Sequence, residues 1–207
     1  MSVAEQMTAE GASLSIFRDA PSLDAARTAA LGAFACDTAD AGARLIRDAM
    51  AQLKTEGFGA VLGPMDGNTW GKHRLVVESD GRPPFLMEPQ NPSHYVDAFE
   101  QSGLGMVSRW VSAVRPSDIP PSGSAAPAGI QLRDFDPARA EAELTRIHAL
   151  SLQQFASNHF YVPISLEDFL ASYRPVLKAI DPELVLLERA IDHPPATFQP
   201  YDVYPVK

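Results

Sequence analysis

Cysteine is nearly absent: Cys36 stands alone in a chain of 207 residues. That excludes an internal disulfide and a cysteine-rich zinc site, and the position at the end of an apolar stretch fits a buried, inert thiol. Long apolar runs are also missing, and nothing approaches the roughly 18 residues that a membrane-spanning helix needs. The opening residues MSVAEQMTAEGAS lack a basic start followed by an apolar block, so no signal peptide is expected and a reducing, cytoplasmic setting is the simplest reading. Positive charge is scarce. Lys and Arg number 17 against 26 Asp and Glu, a net charge of −9, which argues against nucleic acid or an anionic membrane as a partner. The five histidines, His73, His94, His148, His159 and His193, are scattered, with no i, i+4 pair, so no metal site is expected. No G-x-S-x-G, Walker or G-x-G-x-x-G pattern is present.

What the chain has is punctuation. Residues 115–129, RPSDIPPSGSAAPAG, hold four prolines and almost no bulky apolar side chain, and they read as a linker. They separate residues 1–114 from residues 130–190, and an irregular, proline-rich tail follows at 191–207. In the first part, strands are expected at Leu14–Phe17 and Ala30–Cys36. A helix is expected from about Asp40 to Glu56, with Leu45, Ile46, Ala49, Met50 and Leu53 on one stripe. Asp37 or Thr38 would cap its start and Gly57 its end. Phe58–Leu62 reads as the next strand, which gives a βαβ unit. Further strands are expected at Arg74–Glu78, Phe85–Met87 and Met106–Val114, with a short helix at Ser93–Gln101. In the second part a strand at Ile130–Arg133 precedes a helix opened by Asp136-Pro137. Its inner face would carry Ala140, Leu144, Ile147, Ser151 and Phe155, with His148 at the edge as a satisfied core histidine. Ser165-x-x-Asp168 is a capping box for another helix. That helix would carry Phe169, Tyr173, Leu177 and Ile180, with a break near Pro175. A last strand is expected at Leu184–Leu187. The fold class is α/β (α+β).

The most specific stretch is residues 63–95, GPMDGNTWGKHRLVVESDGRPPFLMEPQNPSHY. Its Gly and Pro residues fix the direction of the backbone. Trp70, Arg74 and Glu88 are left as the groups that would line a pocket there. Arg74 and Glu88 could equally form a cross-strand ion pair beside a core Trp70. In the functional reading Arg74 holds a carboxylate and Glu88 engages an amine. No catalytic residue is assigned.

Gly63-Pro64-Met65, Thr69-Trp70, Glu88-Pro89 with Asn91-Pro92, and Tyr95 together resemble a bacterial branch of the GNAT-type acyltransferase superfamily. The second part resembles the opening β1-α1-α2-β2 of that fold and the first part its later half. The resemblance implies a mixed central sheet flanked by helices, assembled from two incomplete halves or as one permuted sheet. It implies transfer of an acetyl or other acyl group from acyl-CoA to a small amine. It places the cofactor loop at 37–42, with Thr38, Ala41 and Gly42 as the cofactor-binding positions. Only Gly42 fits the superfamily's Q/R-x-x-G-x-G/A pattern. Asp37 and Asp40 put two carboxylates where a pyrophosphate would sit, and acids at a helix start cap it. Two functions stay open: an acyltransferase-related enzyme, and a non-catalytic GNAT-like regulatory or interaction module or a truncated relic. An unrelated α/β binding domain is a third. The ending after about Ala190 suggests truncation or a change of reading frame, and a homo-oligomer or a partner domain could complete the fold.

Overall fold

The structure is a computed structural model and describes residues 4–85, 88–114, 130–178, 181 and 185–190. The chain divides into two compact units, Met1–Trp110 with Ser157–Pro163, and Val111–Ala156 with Ile164–Lys207. The described strands fall into two sheets, one of four strands and one of two, and the architecture is mixed α/β.

In the first unit β1 (Glu5–Ala9) and β2 (Ala12–Phe17) form a hairpin, and β2 continues antiparallel to β3 (Thr28–Cys36). Helix α1 (Ala39–Thr55) then crosses over to β4 (Ala60–Leu62), which pairs parallel to β3. This is the expected βαβ unit. Alternation decides the faces of β2, where Ala12, Leu14 and Ile16 are buried and Ser13, Ser15 and Phe17 less so. The buried set packs with Ala29 and Leu31 of β3 beneath Leu45, Ile46, Ala49 and Leu53 of α1. Each fully buried Leu or Ile side chain there contributes about 1.5–3 kcal/mol. Met50 packs against the same cluster but is only partly buried. Helix α2 (His94–Gln101) adds Ala98 and Phe99 to this core. The opposite face of the sheet carries Ala30, Leu62 and Met65, covered by Phe17, Leu23 and Phe160.

The ends of α1 follow from its sequence. Thr38 is the N-cap, its hydroxyl accepting from the Ala41 amide at 3.2 Å. Gly57 takes φ +81 just beyond the last turn, where a side chain would be strained. Arg18 at the end of β2 clamps this corner, bonding to Glu56 at 2.8 Å and to Glu5 of β1 at 2.6 Å.

Two expected strands do not form. Residues 74–78 belong to no ladder. The side chain of Asn91 substitutes for a partner strand: its Oδ1 accepts from the Val76 amide at 2.7 Å and its Nδ2 donates to the Val76 carbonyl at 3.2 Å. Residues 106–114 likewise carry no strand pairing, and Met106, Val107, Trp110, Val111 and Val114 are exposed. Phe85 is exposed and irregular, and residues 86–87 lie outside the described set, as do the expected linker 115–129 and the tail 191–207.

In the second unit β5 (Ile130–Asp134) pairs antiparallel with β6 (Leu186–Ala190). Asp136 caps a 3-10 turn, Pro137–Arg139, that leads into α3 (Ala140–Gln154). The inner face of α3 differs from the expectation by one position. Glu143, Leu144 and His148 are buried, whereas Phe155 is 44% exposed. Glu143 is tolerated inside because Arg133 reaches it at 2.6 Å and Arg146 at 3.3 Å, and a buried charge must be paired. His148 donates from Nε2 to the Ile164 carbonyl at 2.9 Å, the satisfied core histidine of the sequence reading. Helix α4 (Leu166–Tyr173) opens with Ser165 accepting from the Asp168 amide at 3.1 Å. It ends just before Pro175, ahead of a 3-10 turn at Val176–Lys178. Its Phe169 is buried. The expected stripe residue Ile180 lies outside the described set.

Candidate functional site

The stretch singled out in the sequence forms a knot of short hydrogen bonds at the end of β4. Met65 donates its amide to the Leu31 carbonyl at 2.8 Å, which carries the β3–β4 pairing one step further. Opposite it, β3 bulges between the Ser13 and Ser15 registers, with Ala33 at φ +45. The bulge leaves the Ala33 amide without a ladder partner, and Asp66 Oδ1 takes it at 2.6 Å. Gly32 has to be glycine here, because a Cβ would collide with the Asp66 carboxylate and the Met65 carbonyl. Asp66 is the residue that the sequence reading passed over. Its Asp-Gly pair signals a turn, but nothing local shows that its carboxylate serves a strand 33 residues earlier.

The chain then doubles back. Asp66 donates its amide to the Lys72 carbonyl, His73 bridges to Met65, and the Arg74 amide donates to the Pro64 carbonyl at 3.1 Å. These bonds hold Arg74 at φ +75, a left-handed conformation that costs a non-glycine residue on the order of 1–2 kcal/mol. Its guanidinium lies 5.4 Å from the centre of the Trp110 ring.

Beside this knot lies a cleft of about 240 Å³. Its walls are the end of β4 with Pro64 and Met65, Val96 and Phe99 of α2, residues 104–110, and Phe160. Thr69, His73, Arg74, Glu100, Arg109 and His159 bring polar groups to it. Of the three residues expected to line a pocket, Arg74 does so and Trp70 and Glu88 are not among the lining residues. Trp70 is half-buried, donates Nε1–H to the Val162 carbonyl at 2.8 Å and meets Tyr161 edge-on at 6.3 Å. Glu88 accepts the Phe85 amide at 3.1 Å. The sequence reading missed residues 104–110 and 159–160 as walls, because Met106–Val114 was expected to be a strand and 159–160 fall in the second part of the sequence.

The other expected site, at Thr38, Ala41 and Gly42, is built as a helix start. The Ala41 amide is taken by Thr38 Oγ1, and the Gly42 amide donates to the Thr38 carbonyl at 3.1 Å. Gly42 is buried. A Cβ on it would meet Phe34 Cζ at 2.8 Å, Ala98 Cβ at 2.9 Å and Cys36 Sγ at 2.9 Å. Glycine at 42 therefore lets β3 and α2 approach α1. The Cys36 thiol is pushed up by burial and by the neighbouring Asp37, and the Cys36 carbonyl accepts from His94 Nε2 at 2.9 Å. Among the described residues no cluster of His, Cys, Asp and Glu could hold a metal ion, and no helix is long and apolar enough to cross a membrane.

No protein-family profile matches the chain, and no solved structure matches it. A stretch of 31 residues is 61% identical to creatinine amidohydrolase of Pseudomonas putida. It covers 15% of this chain and 12% of that protein's length, so the chain spans a small fraction of the relative it resembles.

Proposed function

We propose that the chain is a non-catalytic, GNAT-like module that binds a small ligand in the cleft beside β4 and does not carry acyl-CoA chemistry. The observation that carries this reading is the packing of Gly42. A phosphate-cradling loop needs free amides and open space at a helix start. Here Thr38 caps the turn, Gly42 is pressed against Phe34, Cys36 and Ala98, and Asp37 and Asp40 supply negative charge. A second reading, transfer of an acyl group to a small amine, is favoured by the cleft itself and by the resemblance of residues 63–95 to GNAT sequences.

Thermal unfolding with and without millimolar acetyl-CoA separates the two. A ligand that binds only the native state must raise its stability, by about 2.7 kcal/mol at a hundredfold excess over Kd. The module reading expects no shift. A saturable rise in Tm with acetyl-CoA would support transfer and overturn it.

A further inference from the structure

Arginine in this acidic chain is usually spoken for. Arg18, Arg82, Arg133, Arg139, Arg146 and Arg174 have carboxylate partners, and Arg27 and Arg47 donate to backbone carbonyls. Among the arginines whose side chains are described, Arg44, Arg74 and Arg109 have neither an ion pair nor a side-chain hydrogen bond. Two of these three line the same cleft. That cleft also takes His73 and His159 but a single carboxylate, Glu100, in a chain whose net charge is −9.

Arg74 is moreover held in place at a backbone cost. Its left-handed φ is fixed by the hydrogen bond its own amide donates to the Pro64 carbonyl and by the bridge beside it. Its guanidinium stands over the face of Trp110. A guanidinium held over a ring, with no carboxylate partner of its own, keeps N–H donors for a ligand, and their fork matches a carboxylate. The remaining walls, from Leu62, Met65, Val96, Phe99 and Phe160, are apolar.

From this we infer that the cleft binds a small monocarboxylate with an apolar body, its carboxylate on Arg74 with Arg109 beside it. The inference rests on the reading of the chain as a binding module and names the ligand class. An amine would face two guanidinium groups, so the site discriminates against cationic ligands.

The test is calorimetric titration of the full chain at low ionic strength with 3-phenylpropanoate, its neutral amide, and 2-phenylethylamine. The acid should bind, with the amide and the amine each roughly tenfold or more weaker. Arg74→Gln should weaken the acid by roughly tenfold, and Arg109→Gln should weaken it less. Arg44→Gln, an exposed and equally unpaired arginine on α1, should leave affinity unchanged. Equal unfolding midpoints for the variants would show that the loss is not misfolding. No binding of the acid, equal binding of acid and amide, preference for the amine, or an unaffected Arg74→Gln would each overturn the inference. A parallel titration with acetyl-CoA keeps the two readings apart. Binding of acetyl-CoA would sink the module reading, whereas failure of the carboxylate with no acetyl-CoA binding would sink the ligand class alone.

Discussion

Replacing Gly42 by alanine tests what that glycine is for. In an open helix start, Gly→Ala would stabilise, because alanine is favoured in helices by about 1 kcal/mol. Here the new methyl would lie 2.8–2.9 Å from Phe34 Cζ, Ala98 Cβ and Cys36 Sγ, closer than carbon and sulfur atoms can sit. Ala98 is on the facing helix and Cys36 on the strand below, so neither is a flexible end that can swing aside. Forcing one methyl into a packed core costs about 1–3 kcal/mol. Set against the helix gain, the balance is a loss of about 1 kcal/mol, or roughly 2–4 °C in Tm. Gly42→Val should lose more. Both tryptophans, Trp70 and Trp110, belong to the first unit, so tryptophan fluorescence during urea or thermal unfolding reports on the unit that contains Gly42. A rise in stability for Gly42→Ala would refute the packing account and reopen the helix start as a ligand site.

Three further outcomes follow from the structure. Arg74→Gly should raise thermal stability by about 1 kcal/mol, by relieving the left-handed strain, while weakening carboxylate binding at least as much as Arg74→Gln does; unfolding and titration of one sample read both. Tyr161 holds a buried hydroxyl without a hydrogen-bond partner, and burial pushes its ionisation up. Tyr161→Phe should therefore be neutral or stabilising by up to about 1 kcal/mol, and a clear loss in a melt would mean that the hydroxyl is satisfied. The Glu56 carboxyl is held down to about 2, against an ordinary 4.5, by hydrogen bonds from Arg18 and Gln52. Its folded-state value lies below the unfolded one, so its stabilisation is present above about pH 4.5 and is lost as pH falls toward 2. Arg18→Gln should flatten the stability–pH curve in that window, as measured by urea midpoints from pH 6 to 2, and an unchanged slope would remove the clamp from the account.

The parts of this fold legible in the sequence were those whose signal is local. The stripe of α1, the caps at Thr38, Asp136 and Ser165, and the turn at Gly57 each depend on residues within four positions of one another. The missing strands show the opposite case. Residues 74–78 and 106–114 have the apolar content of strands, but a strand exists only with a partner. For Val76 that partner is the side chain of Asn91. The burial of Glu143 on α3 was not legible, because it depends on arginines both on its helix and outside it. At the candidate site, Arg74 was legible as a cation among turns. Its walls at 104–110 and 159–160, and the use of Asp66 to close the β3 bulge, depend on contacts far apart in sequence. Gly42 was legible as a glycine at a helix start, but its purpose lay in the packing of Phe34, Cys36 and Ala98.

The central claim is that the cleft beside β4, and not the start of α1, is where a ligand binds. Amide chemical-shift mapping on one isotopically labelled sample, titrated first with acetyl-CoA and then with 3-phenylpropanoate, addresses it directly. The account predicts no saturable shifts at Asp37–Ala43 with acetyl-CoA, and saturable shifts at Met65, His73–Leu75 and Met106–Trp110 with the carboxylate. Saturable shifts in the first turn of α1 with acetyl-CoA, or a cleft unmoved by the carboxylate, would contradict it.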